Sequence, residues 1–517
     1  MTLSPAELTI WNGLLASVAE EMGVTLGLTA HSPNIRERRD YSCALFDPTG
    51  ELAAQAAHIP VHLGSMPEAV RAVQTLAPWS PGDVAIVNDP YLGGTHLPDV
   101  TLVAPFFWEG SIAGFLANRA HHADIGGMAP GSMPPSEELH QEGLIIPPLR
   151  LVTAGRLNEE VYALILRNVR TPEERRGDFD AQLAALRTGE RRLRVLFERY
   201  GAGTLLSAME ELQAYTERLT RAALAAIPDG TYTAEDAVEA PDGSLLTIAL
   251  ALQIDGETAT FDFRGTAEQH PSSFNAVAAV AVSAAAYCVR CLLPAHAPSN
   301  AGFFRPLRFI LPEGTLVNAR PPAAVSAGNV ETSQRIVDVV MRALATALPG
   351  RIPAASAGTM TNLTFGGARP DGSRFAYYET IPGGAGAGPS GPGESAVQTH
   401  MTNTANTPVE MLERAYPVRV WRFEVRRGSG GAGRQRGGDG VVKELEFLAP
   451  AAAAVVANRH RLGPWGLDGG GPGEPGRTVL VSPDGEERVL PAVASVRLAP
   501  GARLRLETPG GGGMGPT

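Results

Sequence analysis

At 517 residues the chain is too long for one ordinary hydrophobic core, so roughly two to four domains or subdomains are expected. An apolar fraction of 44% with 19% charged residues excludes a disordered chain. A formal net charge of −11 argues against a nucleic-acid partner, which asks for a basic face.

The segment 4–28 opens Ser4-Pro5-Ala6-Glu7, a cap and first helical turn, and continues with Ile10, Leu14, Val18 and Met22 at helical spacing. It lacks the basic start of a secretion signal, and no run approaches a membrane span, so a cytoplasmic protein without membrane contact is expected. Residues 41–120 alternate strands and turns around a predicted helix at 66–76. The runs 83–87, 100–107 and 111–118 read as buried strands.

Two motifs lie at the ends of these strands. Residues 88–99 read Asn-Asp-Pro-Tyr-Leu-Gly-Gly-Thr-His-Leu-Pro-Asp, and residues 119–127 read Arg-Ala-His-His-Ala-Asp-Ile-Gly-Gly. Neutral imidazole and ionised carboxylate are the ligands borderline divalent metals prefer, so a zinc, manganese or iron site is expected. His96, Asp99 and His121 are the candidate ligands, with His122, Asp124 and Asp89 beside them as candidate catalytic groups. Each residue alone is better explained as an ordinary hydrogen-bonded polar group or as turn chemistry. Together they favour a site, because seven of the eleven histidines (31, 58, 62, 96, 121, 122 and 140) fall within the first 140 residues.

Farther along, 134–148 is a loop carrying Glu137, Glu138, His140 and Glu142, and 157–227 is strongly helical, read as an exposed or interfacial arm. Strands at 245–254 and 258–263 form a hairpin across Asp255-Gly256. The Ala-rich run 276–293 reads as a buried helix with Cys288 and Cys291 as core thiols. With three cysteines in all, a reducing compartment without disulfides is expected. Before a helix at 330–348, Asn329, Glu331, Thr332 and Ser333 form a polar cluster in which Thr332 or Ser333 caps the helix and its N-terminus can hold an anion. The stretch 400–410, with His400, Thr402 and Asn403, is dense enough in uncharged hydrogen-bonding groups to orient an amide or imide ring. Glycine rises from 383 onward, through 428–440 and 510–515, and the last hundred residues read as β-structure at 418–426, 441–448, 453–458, 477–481 and 502–508. The expected class is mixed α/β (α+β), divided into an N-terminal α/β region 1–156, a helical arm 157–228, a central α/β region 229–415 and a Gly-rich β region 416–517.

Lys443 is the single lysine among 43 basic residues, which leaves no lysine for a phosphate-binding loop. No Gly-x-Ser-x-Gly elbow is present either, so metal-assisted chemistry is the economical expectation.

The motifs at 88–99, 121–127, 141–148, 328–334 and 400–410, with the Arg-Arg-Gly-Ser-Gly-Gly-Ala-Gly loop at 426–433, closely resemble the hydantoinase B/oxoprolinase family across nearly the whole chain. The resemblance implies a hydantoinase A-type partner chain that binds ATP and phosphorylates a small cyclic amide. The B-type chain then completes its hydrolysis within a hetero-oligomer. It also implies that His96, Asp99 and His121 hold the metal, as the matching positions do in related ketone carboxylase subunits. A ketone carboxylase component and a non-catalytic partner of the A-type chain are the alternatives.

Overall fold

The computed structural model describes residues 3–56, 59–369 and 371–517, so His58 lies outside the described residues. Its first sheet collects β1 (Tyr41–Phe46), β2 (Leu52–Gln55), β3 (Val84–Val87), β4 (Asp99–Trp108), β5 (Ser111–His121), β6 (Leu149–Thr153) and β7 (Arg156–Leu157). The order is β2-β1-β5-β4-β3-β6-β7, and every neighbouring pair is antiparallel. β4 and β5 are joined by Glu109 and Gly110, both at positive φ, the two-residue turn whose twist suits an antiparallel hairpin.

Both faces of this sheet are covered, which explains strands that read as continuous apolar runs. On one face lies the helix Pro5–Thr29, started by a capping box in which Ser4 and Glu7 satisfy each other's backbone. Its Leu15, Val18, Met22 and Leu26 join Cys43, Leu45, Leu102, Phe106 and Leu116 in the main core. On the other face the helix Met66–Gln74 sets Met66, Val70 and Val73 against Phe46, Ala85, Val103 and Phe115.

The helices of the 157–227 stretch, Glu159–Arg167, Pro172–Tyr200 and Ala202–Ala225, form close to where the sequence predicts them. They do not stand off as an arm. Phe179, Ala185, Leu193 and Phe197 of the long helix are buried in the main core, and Gly189 allows it to press on Met22 and Leu116. Its other arginines ride on the outer side, where their charge stays hydrated, while Arg175 is buried against Asp178.

The second sheet, β8 (Gly230–Glu239), β9 (Leu245–Asp255), β10 (Thr258–Asp262) and β11 (Leu307–Ile310), contains the expected hairpin and one parallel pair, β10 with β11. The Ala-rich helix is Ala278–Arg290, with Cys288 buried but Cys291 exposed, so only the first thiol belongs to the core. Toward the C-terminus come β12 (Asn362–Ala368), β13 (Arg374–Thr380), β14 (Val418–Val425), β15 (Val441–Phe447), β16 (Ala451–Val456), β17 (Arg477–Val481), β18 (Glu487–Leu490), β19 (Val493–Leu498) and β20 (Arg503–Glu507). They make two sheets, β13-β12-β16-β19 and β14-β15-β20-β17-β18, and the first draws strands from both sides of residue 415.

The five strands expected at 418–426, 441–448, 453–458, 477–481 and 502–508 form as β14, β15, β16, β17 and β20, and glycine-rich stretches lie between the strands. These stretches run alongside one another and exchange backbone hydrogen bonds. Gly438 N donates to Ala385 O at 2.9 Å, Gly511 N to Gly438 O at 2.9 Å, Gly431 N to Gly511 O at 2.8 Å and Gly513 N to Gly471 O at 2.9 Å. The chains approach so closely that a Cβ on Gly511 would sit 1.9 Å from Ala385 O. Space, not a left-handed φ, dictates glycine there.

Candidate metal centre

β4 begins at Asp99 and β5 ends at His121, and the antiparallel register sets these two residues directly opposite each other. His96 precedes β4 by one tight turn, in which Asp99 N donates to His96 O at 3.1 Å and His122 N donates to Pro98 O at 2.9 Å. The hairpin end therefore gathers three side chains. His96 Nε2 stands 3.2 Å from His121 Nδ1 and 3.3 Å from an Asp99 oxygen, while His121 Nδ1 stands 3.4 Å from the other Asp99 oxygen. All three are at most 2% exposed.

These spacings suit one ion. Ligand atoms about 2.1 Å from a common metal, at angles near 90–110°, stand roughly 3.0–3.4 Å apart. The donor chemistry suits it as well. His96 Nδ1 is 3.3 Å from Ser326 O, a bond that puts the ring proton on Nδ1 and leaves the Nε2 lone pair facing the cluster. His121 Nε2 is buried with no partner among the described residues.

Three residues not assigned from sequence complete the surroundings. His62 brings Nε2 to 3.3 Å from Asp99 Oδ2, and Ser42 Oγ holds its Nδ1 at 2.8 Å. Thr95 Oγ1 donates to the same Asp99 oxygen. Asp40 lies 4.0 Å from His121 Nδ1. Burial alone would raise the Asp99 carboxyl, yet His96 and His62 outweigh it and hold Asp99 well below the usual carboxylate range. Burial likewise opposes charge on His96, but Asp99 prevails and raises it. At His121 burial dominates and lowers it. The Tyr378 ring stacks on His121 at 4.3 Å between centroids and 12° between planes, and the Arg38 guanidinium lies 4.9 Å from the Tyr378 ring centre.

The polar cluster before the second buried helix arrives differently from expectation. Thr332 and Ser333 cap nothing. Gly328–Thr332 is one wide π-turn running straight into the helix Ser333–Ala347. A π-turn inserts a residue into the helical ladder and recurs at functional sites. Here Ser333 Oγ donates to Asn329 O at 2.7 Å and Thr332 Oγ1 donates to Phe274 O, so both hold the turn. Asn329 is thereby turned to the cluster, with Nδ2 at 3.2 Å from His96 Nε2 and 3.5 Å from Asp99 Oδ2, and its Oδ1 has no partner among the described residues. Glu331 is held at the start of β12 by one of its oxygens. Its Oε1 accepts from Met360 N at 3.1 Å and Asn362 Nδ2 at 2.8 Å.

The other candidate residues have structural partners. Both Asp124 oxygens are held by Arg170, one by its backbone N–H at 2.7 Å and one by its guanidinium at 2.8 Å. His122 Nε2 meets Gln182 Oε1 at 2.9 Å, its ring packs on Phe179, and burial pushes it down to about 4, so it is neutral. Asp89 accepts from Tyr91 N at 2.9 Å and starts a short turn. None of the three joins the cluster. The polar density at 400–410 is likewise spent on docking the loop. Asn406 Nδ2 and Thr407 N donate to Glu379 Oε1 at 2.8 and 3.2 Å, and Thr404 Oγ1 meets Thr380 Oγ1 at 2.9 Å. Thr402 Oγ1 lies 3.4 Å from Thr404, Asn403 is exposed, and His400 sits edge-on to Tyr287 at 5.8 Å, where burial lowers it to about 4.

Among known proteins, an uncharacterized protein of Methanocaldococcus jannaschii is 42% identical over 96% of this chain and 88% of its own length. A Pseudomonas protein named as the B-type component of a D-/L-hydantoinase is 32% identical over 99% of this chain and 90% of its own. 5-Oxoprolinase 1 of Arabidopsis thaliana is 39% identical over 98% of this chain, which spans only 42% of that longer protein. The crystal structure of ATP-dependent caprolactamase from Pseudomonas jessenii superposes with a TM-score of 0.93 at 30% identity, covering 100% of this chain and 92% of the other. A nucleotide-free acetone carboxylase shares the fold alone, with a TM-score of 0.91 at 19% identity over 99% of this chain and 76% of the other. The hydantoinase B/oxoprolinase family model matches residues 4–517, and the chain belongs to that family.

Proposed function

We propose that this chain is the B-type component of an ATP-dependent cyclic amidase. It would complete the hydrolytic opening of a hydantoin, 5-oxoproline or lactam ring whose carbonyl oxygen has been phosphorylated on a separate ATP-binding A-type chain in the cytoplasm. The observation that carries this reading is the buried convergence of His96, Asp99 and His121 at ligand-edge spacings. The similarity to a caprolactamase named as ATP-dependent and to the B-type component of a hydantoinase supports the rest.

When bound, a divalent ion (zinc, manganese or iron) would supply Lewis acidity toward a reacting oxygen. The protein's own groups do the remainder. His62 and Thr95 fix the Asp99 carboxylate, and Ser326 O fixes the His96 tautomer. Asn329 offers a free carbonyl oxygen that can accept a ring N–H and so orient the amide. The enclosed site limits bulk water, which would otherwise consume a phosphorylated intermediate wastefully. Proton handling is not assigned to His122, Asp124 or Asp89, which are held outside the cluster by Gln182, Arg170 and the Tyr91 N–H.

The test is co-expression with an A-type chain, metal quantification of the purified complex, and a screen of hydantoins, 5-oxoproline and lactams for ATP-dependent ring opening. Near-stoichiometric metal and ring opening of one class are expected. ATP hydrolysis that requires bicarbonate and a ketone would replace this reading with carboxylation. A complex free of metal and indifferent to chelators would make the chain a structural partner.

A further inference from the structure

Glu331 is the one carboxyl on the π-turn, and its two oxygens are treated unequally. Oε1 accepts from Met360 N and Asn362 Nδ2, while Oε2 is buried with no partner at all among the described residues. A carboxylate buried this way would leave half its charge unsatisfied, at considerable cost. A neutral carboxylic acid would not, because the proton resides on the open oxygen and the carbonyl oxygen takes both donors.

The position of this acid relative to the cluster follows from two routes. Along the chain it lies two residues after Asn329, whose amide reaches His96 and Asp99. Through space, Asn362 joins Glu331 to Tyr378, whose hydroxyl donates to Asn362 Oδ1 at 2.9 Å and whose ring stacks on His121. Resting on the ring-opening reading above, we propose that Glu331 Oε2 is the proton donor to the departing ring nitrogen.

In the step, water adds to the carbonyl carbon, the carbon–nitrogen bond breaks, and the Glu331 proton goes to nitrogen as that bond's electron pair settles there. The carboxylate then takes the proton of the added hydroxyl as that oxygen becomes the carbonyl of an acyl phosphate, so Glu331 ends as it began, and a second water hydrolyses the acyl phosphate to a carboxylate and inorganic phosphate. The proton matters because an unprotonated ring nitrogen is a worse leaving group than phosphate, and collapse would otherwise expel phosphate and return the unopened amide.

The electrostatics agree. Burial pushes Glu331 up to about 8, against the opposing pull of the nearby Thr359 hydroxyl, the bonds from Met360 and Asn362 and the Arg335 guanidinium. The groups that face it are Thr359, Met360 and Asn362 on the strand side, Arg335 one helical turn on, and the Tyr378 hydroxyl. None but Arg335 is charged.

Glu331→Gln keeps the size and both accepted bonds but cannot release a proton. In the complex with an A-type chain it is expected to lose about 100-fold or more in kcat on the ring amide, with KM and metal content close to the wild type. It should lose far less on the thiolactone of the same ring size, whose thiolate departs without a proton. Glu331→Asp should retain part of the amide activity. Independently of turnover, the wild type minus Glu331→Gln infrared difference at neutral pH should contain the carbonyl stretch of a protonated carboxylic acid. Absence of that band overturns the inference, and so does a Glu331→Gln complex that opens the amide at near wild-type rate, although ring opening itself would stand. A wild-type complex inactive on every cyclic amide overturns the functional reading and this inference with it.

Discussion

Asp99 and His121 face each other across the open end of one β-hairpin, paired in register and 3.4 Å apart at their closest polar atoms. Strand pairing is thus what brings a carboxylate and an imidazole together, and a hairpin buried on both faces holds them there with little freedom. His121→Ala should leave the hairpin and the melting temperature nearly unchanged while metal content and ring opening both collapse. The loss in metal affinity should exceed the roughly 10- to 100-fold typical of an outer partner. Metal analysis beside a thermal melt checks this, and a variant that retains its metal would exclude His121 as a ligand.

His62 and Thr95 test the next layer. Both bond the same Asp99 oxygen, and neither needs to touch an ion. Thr95→Val and His62→Ala should each weaken metal binding by about 10- to 100-fold in a folded protein, read by competition with a chelator. Because the two share one acceptor, the double variant should cost less than the product of the singles.

Much of this centre is legible in sequence because its ligands come from one local motif. His96, Asp99 and His121 span a single hairpin, and apolar strands flanked by glycine and proline announce where it starts and stops. His62, Asp40 and Tyr378 are out of reach, since only tertiary packing brings them to His121 and Asp99. His122 and Asp124 share the motif but not the site. Alternation along an extended chain turns His122 away from His121 onto Phe179 and Gln182, a consequence the histidine count alone does not reveal. The π-turn escapes sequence reading for a different reason. Polar residues before an apolar helix look the same whether they cap it or continue it, and only the i→i+5 bond distinguishes the two. The strands near the C-terminus are legible from their apolar runs, whereas the packing of the glycine stretches between them is not. What glycine permits there, chain against chain without side chains, has no hydrophobic period to detect.

That close approach makes two glycines behave oppositely. A Cβ on Gly511 would lie 1.9 Å from Ala385 O and 2.3 Å from its carbon, and backbone held by several bonds cannot yield. Gly511→Ala should therefore cost several kcal/mol, well above the ~1 kcal/mol typical of a point substitution, and should show as insolubility or a sharply lower melting temperature. Gly110, in the β4–β5 turn, has open space around it and only its positive φ to defend. Gly110→Ala should cost about 1 kcal/mol, a shift of a few degrees at most. Equal melting temperatures for the two variants would show that the glycine stretches are not packed as described.

The chain's single lysine forms a buried ion pair, and that pair sets an acid limit on stability. Lys443 Nζ donates to Glu379 Oε2 beneath the Phe423 ring, and Glu379 also receives Asn406 and Thr407 of the 400–410 loop. Burial alone would raise Glu379, but the Lys443 charge and bond, with the Arg38 charge and the Asn406 bond, together outweigh it and hold the carboxyl below its ordinary value of about 4.3. A carboxyl lowered by folding contributes stability that is fully present above its unfolded value and is lost as the pH falls through the folded one. The pair should thus add nothing pH-dependent from neutral down to about pH 5 and should fail progressively below about pH 4. Lys443→Met strands a buried carboxylate and should cost about 3–5 kcal/mol at neutral pH, while Lys443→Met with Glu379→Leu should recover much of that loss. In Lys443→Met alone the dependence should reverse. The unpaired Glu379 then titrates above its unfolded value, so acidification from pH 7 toward pH 5 should stabilise the variant, and denaturant melts across that range would reveal the change of sign.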